Sequence, residues 1–458
     1  MRPSEDVLRQ IQSEAPPSQT CFDESVRSRL TELTAELLDA RPTSREELEY
    51  YLGIRDRTIS FPDSRVQANL AGATIVVTGG SGCVGTELLR QLRLFAPARL
   101  ISAAITDPVH PVPGVQYLHL DVRRAGDLDR FFRQHRPDIV FHLAAQRDPG
   151  LAEKQVTYTA CTNVVGTSNV VAAAERTGVR RIVYASTGKA LRPYTTDVYA
   201  SSKRIGEWVL ARAAERGRVA CSTARFTHVV DNSIIFDRLV RWCHDRDVVR
   251  LHSADTVFYA QSALESAHLL LVASLAPDDG VFRLHMIRDL GWPVSLLSLA
   301  LGVMLREGTV APLYVAGYDP GYEERPYPGL YDPAVAGDVS PLMNAMEAGA
   351  VQEAASAAVD AVPVSPPEVP QTEACLRELA QLDGMDADIS VRQVLNEAAY
   401  ELFVATAAAA PRPAVERIVR LAEAYRPTMR AEHIRIDDVF RRFCTVPSAV
   451  PSAVPSVA

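Results

Sequence analysis

Lysine is almost missing from this chain. Of 48 basic residues among 458, only Lys154, Lys189 and Lys203 are lysines. Guanidinium stays protonated under ordinary conditions, whereas an ammonium group can be tuned by burial and by its neighbours. A chain that uses arginine for its surface charge is expected to keep lysine where chemistry needs that tunability. Cysteine is sparse too: seven residues, at 21, 83, 161, 221, 243, 375 and 444, with no CxxC pair. An odd, scattered set argues against a disulfide framework and for reduced thiols, and no cluster has the spacing of metal ligands, so no metal is expected. No run approaches the roughly 18 consecutive apolar residues of a membrane span. The polar opening MRPSEDVLRQIQSE does not read as a secretory signal. A net charge of −8 argues against nucleic acid or an anionic membrane as partner. These absences lead us to expect a cytoplasmic protein that acts on a small molecule.

What is present has the rhythm of an α/β fold. Residues 1–70 read as a helical N-terminal extension. From Thr74 the runs TIVVT (74–78), RLISAAI (99–105), VQYLHL (115–120), DIVFHL (138–143), RIVYAS (181–186) and VACSTARF (219–226) are short and β-rich. Most are continuously apolar, as strands covered on both faces should be. Helical patterns lie between most of them, so the expected fold is a Rossmann-type doubly wound parallel sheet over residues 71–230. The link between the second and third runs holds three prolines and is expected to lack a helix. A smaller mixed substrate-binding portion is expected over 231–345. Residues 346–370, rich in Ala, Val, Glu and Pro, read as a linker, 371–446 as a helical extension, and 447–458 as a disordered tail.

Thr78-Gly79-Gly80-Ser81-Gly82-Cys83-Val84-Gly85 follows the first strand and opens a helix. In that context the glycines have distinct uses: Gly79 for the tight turn, Gly82 for close approach of a pyrophosphate, Gly85 for helix–strand packing. The helix N-terminus then presents free N–H groups and its positive dipole end to phosphates. A dinucleotide, NAD or NADP, is the expected cofactor. An acidic residue about 20 positions on would bind the adenosine ribose, and Asp107 is the sole candidate for it. Asp121, closing the third strand, reads either as an adenine contact or as a strand-end turn residue.

The run Tyr184-Ala185-Ser186-Thr187-Gly188-Lys189-Ala190 ends a buried strand, where parallel sheets present their ligands. Tyr199 and Lys203 follow at i, i+4 on one helix face. Exchange of a carbonyl and an alcohol by hydride transfer needs a group that carries a proton to and from the substrate oxygen. A tyrosine does so near neutrality when an ammonium stabilises its phenolate. Tyr199 and Lys203 are thus the expected acid–base pair, Lys203 also holding the nicotinamide ribose, with Ser186 or Thr187 orienting the substrate hydroxyl. His142 reads as a satisfied core or cofactor-facing histidine.

The segments TGGSGCVGTELLRQL, DVRRAGDLDRFFRQHRPDIVFHLAA, TNVVGTSNVVAAAERTGVRRIVYASTGKA, YASSK and PGYEE resemble the polysaccharide-biosynthesis branch of the extended short-chain dehydrogenase/reductases, which includes nucleotide-sugar 4,6-dehydratases and epimerases. The resemblance covers roughly residues 70–330 and implies transient oxidation of a sugar hydroxyl. It also implies cofactor contacts from Asp121, Val122, Ala144, Ala145 and Asn163, substrate contacts from Gln146 and Arg225, and a homo-oligomer. His228 stands where the family has an Asn and reads as a substrate contact. Lys189 matches the expected base, but Gly188 stands in place of the family's acid. Val257 and Asp319 stand where the family has diphosphate-gripping arginines. The sequence therefore favours oxidation or epimerisation of a sugar or cyclitol, activated by a nucleotide or not. Dehydration by a replaced acid and a non-catalytic NAD(P)-binding scaffold or redox sensor are the alternatives.

Overall fold

The structure is a computed structural model that describes residues 3–19, 21–322, 326–331, 339–348, 353–381 and 388–444. The expected disordered tail lies outside the described residues. The chain divides into two units, one of Met1–Thr58, Thr227–Ser266 and Leu290–Tyr322, the other of Ile59–Phe226, Ala267–Asp289 and Glu323–Ala458.

In the first unit α1 (Ser4–Glu14), α2 (Glu24–Ala40) and α3 (Ser44–Gly53) are not a free lead-in. Leu30, Leu33, Leu37 and Leu48 close on Leu239, Leu297 and Leu301 in one core. These later leucines come from helices Ile234–His244 and Leu296–Glu307. The boundaries expected at 70, 230 and 345 are corrected accordingly, because an amphipathic helix buries its apolar stripe against whichever face is apolar, near or far in sequence. Short strand pairs complete the unit: Val249–Leu251 with Leu313–Val315, His228–Val229 with Ala260–Gln261, and Val257–Phe258 with Val294–Ser295.

The second unit holds a nine-stranded sheet: β1 (Thr74–Thr78), β2 (Arg99–Ala104), β3 (Gln116–His119), β4 (Ile139–His142), β5 (Arg181–Thr187), β6 (Ala220–Phe226), β7 (Phe282–Ile287), β8 (Glu353–Ser356) and β9 (Val359–Val364). Their order is β8-β9-β7-β6-β5-β4-β1-β2-β3. The run 3-2-1-4-5-6 is that of a dinucleotide fold, whose ligands bind at the carboxyl ends where the order reverses. Strands β1 to β7 are mutually parallel, while β9 runs antiparallel to β7 and β8. The stretch expected as a linker thus supplies two strands of the sheet. Its Pro363 is tolerated because β8 covers only Val359, Asp360 and Ala361, which leaves Pro363 at an open edge. The helices α4 (Cys83–Arg93), α5 (Ala125–His135), α6 (Gly166–Thr177) and α7 (Val198–Glu215) alternate with the strands, and none lies between β2 and β3.

The helical C-terminal extension belongs to this second unit. Phe403, Ile418 and Phe440 bury against Tyr194 and Tyr327. Asp388 accepts hydrogen bonds from the Thr157 hydroxyl at 2.6 Å and the Thr157 amide at 2.9 Å. Among the described residues no helix is long and apolar enough to cross a membrane.

Gly302 tests the first unit's core. A Cβ there would collide with the Ser44 carbonyl and lie 2.8 Å from Leu48 Cβ. Overpacking typically costs about 1–3 kcal/mol, against roughly 1 kcal/mol gained by removing a helical glycine. Gly302→Ala is therefore expected to lower the Tm. An unchanged or raised Tm in calorimetry would contradict the tight packing of α3 on this helix.

Candidate active site

The glycine turn sits between the end of β1 and α4. Gly79 has φ +71°, and a Cβ on it would lie 2.7 Å from the Ala144 amide nitrogen. Gly85 approaches as closely, its added Cβ falling 2.6 Å from the Gly79 carbonyl oxygen. Gly82 differs: it caps α4 with no side-chain hydrogen bond, and the nearest atom to an added Cβ is 3.4 Å away. The turn is thus closed on the protein side by Gly79 and Gly85 and open at Gly82, where the helix N–H groups of Cys83 and Val84 begin. An open glycine at a helix N-terminus fits the pyrophosphate of a dinucleotide. Ser81 bonds Thr106 through their hydroxyls at 2.9 Å.

The other residues expected at the cofactor gather around the loops after β3 and β4. Asp121 is clasped by Arg123, with Nε at 2.9 Å, Nη2 at 2.6 Å and the Arg123 amide at 3.0 Å. Burial opposes its ionisation, but Arg123 prevails and holds its pKa below the usual value. Its carboxylate thus does the work of a strand-end turn residue. Val122 carries a carbonyl that accepts from the Asn169 amide at 3.1 Å. Asn163 lies in a π-helical turn, Cys161–Val165. Its side chain pairs both backbone groups of Gln146, accepting at 2.8 Å and donating at 3.1 Å, and donates to the Ser202 hydroxyl at 3.0 Å. It therefore pins the Ala144-Ala145-Gln146 loop to α7. The Gln146 side chain accepts from the Asp148 amide at 3.2 Å.

Strand β5 and helix α7 meet at the expected acid–base. The half-buried Tyr199 phenol lies beside Thr187, whose side chain eases its ionisation. Burial pushes its pKa up to about 12, while Thr187 and Arg147 pull down and Asp197 pushes up. Lys203, on the same helix face, is buried, donates to the Ala185 carbonyl at 2.6 Å and lies 4.0 Å from the centre of the Tyr184 ring. Burial lowers its pKa to about 7 against the opposing charge of Glu207. His142 is neutral in the core, its pKa pushed down to about 3 by burial and Lys203, between Thr78 at 2.7 Å and Thr167 at 3.0 Å.

Four expected residues stand elsewhere than the sequence suggests. Ser186 does not face Tyr199: its hydroxyl donates to Glu207 at 2.6 Å, because alternate strand residues point to opposite faces. Arg225 is no substrate contact. It is fully enclosed, with Glu207 at 2.8 and 2.9 Å and Glu347 at 2.7 and 2.8 Å. Lys189 reaches Asp197 at 3.5 Å, and Arg192 shares that carboxylate at 2.9 Å. His228 belongs to the first unit, where Nε2 meets the Tyr51 hydroxyl at 3.1 Å and the Ser233 hydroxyl at 2.9 Å, and burial lowers its pKa to about 4. Glu207, Leu342 and Glu347 were missed. Glu207 had a signal of its own, four residues beyond Lys203 on the same helix face; Leu342 and Glu347 had none.

Comparison with known proteins agrees with this geometry. Residues 75–231 match the NAD dependent epimerase/dehydratase family. That segment is similar to an epimerase/dehydratase domain. The chain is 26% identical over 290 residues to the probable polysaccharide biosynthesis protein EpsC of Bacillus subtilis, covering 58% of this chain and 47% of that protein. It is likewise 26% identical over 290 residues to the capsular polysaccharide biosynthesis protein CapD of Staphylococcus aureus, covering 59% and 46%. The chain thus spans about half the length of these two relatives. A dTDP-L-rhamnose 4-epimerase of Burkholderia thailandensis is 26% identical over 270 residues, covering 56% of this chain and 70% of that protein. Among solved structures, Pen from Bacillus thuringiensis superposes with a TM-score of 0.54 at 18% identity, covering 66% of this chain and 89% of that one. The last likeness is one of fold.

The open position at Gly82 yields a direct test of the cofactor site. Gly82→Val is expected to fold normally, since its added Cβ meets nothing closer than 3.4 Å, and to lose NAD(P) binding. Calorimetric titration with unchanged affinity would remove the turn from the cofactor site.

Proposed function

We propose that the chain is an NAD(P)-dependent oxidoreductase or epimerase that oxidises a secondary hydroxyl of a sugar or cyclitol, with or without a nucleotide attached. The observation that carries this reading is Tyr199 beside Thr187 at the end of β5, with Lys203 one helical turn on. The glycine turn, α4 and the loop pinned by Asn163 would hold the dinucleotide, whose nicotinamide accepts and returns a hydride. Tyr199 takes the proton from the substrate hydroxyl and returns it at reduction. Thr187 orients that hydroxyl, and Lys203 supplies the positive charge that favours the phenolate. With Tyr199 at about 12 and Lys203 at about 7, the pair is tuned by whatever charge binds beside it.

Oxidation or epimerisation is favoured over dehydration. A Cβ at Gly188 would lie 2.8 Å from Leu342 Cδ2, so an apolar side chain fills the place where the resemblance calls for an acid. Two candidate substitutes are engaged elsewhere: Asp148 caps a short helix through the Leu151 amide at 3.1 Å. Glu153 accepts from the Val198 amide at 2.8 Å and pairs with Arg392. Lys189 is ion-paired with Asp197 at 3.5 Å. Relatives in polysaccharide biosynthesis support a carbohydrate substrate, and exposed Val257 and Asp319 argue against a tight diphosphate grip.

Two experiments test the proposal. Tyr199→Phe should keep cofactor affinity and lose about 10²–10⁴-fold in turnover, the usual contribution of a general acid–base. Lys203→Ala should weaken both, and near-normal turnover of Tyr199→Phe would refute the assignment. Separately, incubation with NAD(P) and nucleotide sugars or cyclitols in heavy water should give no product lighter by one water. Efficient loss of water would overturn the preference for oxidation or epimerisation. Deuterium uptake that depends on Lys189 would place epimerisation beside the oxidised carbon.

A further inference from the structure

Residues 340–348 run along the carboxyl ends of three central strands. The Ser340 hydroxyl donates to the Ile287 carbonyl at the end of β7 at 2.7 Å. The Leu342 carbonyl accepts from Arg225 on β6 at 3.2 Å, and the Asn344 amide donates to the Leu191 carbonyl beyond β5 at 2.8 Å. Asn344 also accepts from the Glu347 amide at 3.0 Å, and Glu347 from the Asn344 amide at 3.1 Å, so the Glu347 carboxylate is aimed by its own turn. It completes a buried cluster of four charges. Arg225 lies between Glu207 and Glu347, and Arg204 spans the same two carboxylates at 3.6 and 3.1 Å. Two positive and two negative charges leave the cluster neutral. Its Glu207 stands one turn beyond Lys203 on α7.

We propose that Glu347 is a positioning residue for the acid–base pair. It neutralises Arg225, and so lets Glu207 both hold Ser186 and face Lys203 with its full charge. The idea rests on the reading of Tyr199 and Lys203 given above. Few other groups compete for the Lys203 ammonium. Its own helix presents Glu207 and Tyr199, β5 presents the Tyr184 ring and the Ala185 carbonyl, and β4 presents neutral His142. Among the described residues, the charge balance of the cluster is thus the main electrostatic control on Lys203 other than burial. Without the Glu347 charge, the cluster carries one excess positive charge. An ammonium is charged below its pKa, and added positive charge lowers that pKa. The mobile proton of Lys203 is then lost at lower pH. Removing Arg204 instead leaves one excess negative charge and moves the titration upward.

The small number of lysines makes the test clean. The full chain without cofactor, labelled with carbon-13 at lysine Cε, should give three NMR signals, and Lys203→Ala assigns the relevant one. Lys203 is expected to titrate near about 7 in the unaltered chain. Glu347→Gln should shift that midpoint down, Arg204→Gln should shift it up, and the double variant should return it towards the original value. A merely structural role predicts otherwise, since a second deletion in the same cluster would add to the first. If Glu347→Gln does not fold, the upward shift in Arg204→Gln and its reversal in the double variant still decide the matter. An unmoved Lys203 in folded single variants, or a double variant that fails to restore it, overturns the proposal. Because the titration needs neither cofactor nor substrate, it stands apart from the functional reading. Shifts as expected in a chain without turnover would refute only the reaction, and normal turnover with an unmoved Lys203 would refute only the role of Glu347.

Discussion

A guanidinium cut off from water must find carboxylates, and the position of Arg225 on β6 obliges the chain to bring them. Stripping an ion of solvent costs several kcal/mol, and removing one partner of a buried pair typically costs about 3–5 kcal/mol. Glu207 therefore has to arrive from α7, and Glu347 from a segment more than a hundred residues later. With these contacts made, α7 is fixed in rotation over the sheet. Tyr199 and Lys203 ride on the same helix, so their placement follows from the satisfaction of an arginine that neither of them touches.

The strand beside Arg225 converts that anchorage into chemistry. Ser186 and Thr187 are consecutive on β5 and point to opposite faces. Ser186 is tied to Glu207 at 2.6 Å, which turns Thr187 the other way, toward Tyr199. Beside α7, Asn163 uses its amide as a second backbone and locks the loop after β4 to that helix. Interruption of a helix by a π-turn is frequent at functional sites, and here it sets the angle from which Asn163 reaches both partners.

Burial governs the electrostatics throughout. Desolvation alone disfavours every charged form, so it raises Tyr199 and lowers Lys203, His142 and His228. Against that background, single opposing charges matter: Arg123 prevails at Asp121, and both carboxylates keep Arg225 charged. The apolar Leu342 occupies the space into which a side chain at position 188 would extend.

Consecutive residues determined a good part of this protein. Short, mostly continuously apolar β-rich runs marked the six strands from Thr74 to Phe226, and helical patterns marked the helices between them. The glycine turn announced a dinucleotide, and the i, i+4 spacing of Tyr199 and Lys203 put both on one helix face. Such features are local, since backbone geometry alone relates the residues concerned. Tertiary structure decided the rest. It joined residues 1–58 to segments beyond Thr227, because apolar stripes seek apolar faces regardless of sequence distance. It folded the supposed linker at 346–370 into β8 and β9, whose Ala-, Val- and Pro-rich composition is ambiguous until a neighbouring strand offers its hydrogen bonds. It took Arg225 from the substrate to Glu207 and Glu347, and it set Leu342 against Gly188. Contacts of that range leave no spacing for a reader of sequence to find, because they depend on how solvent is excluded once the elements have packed.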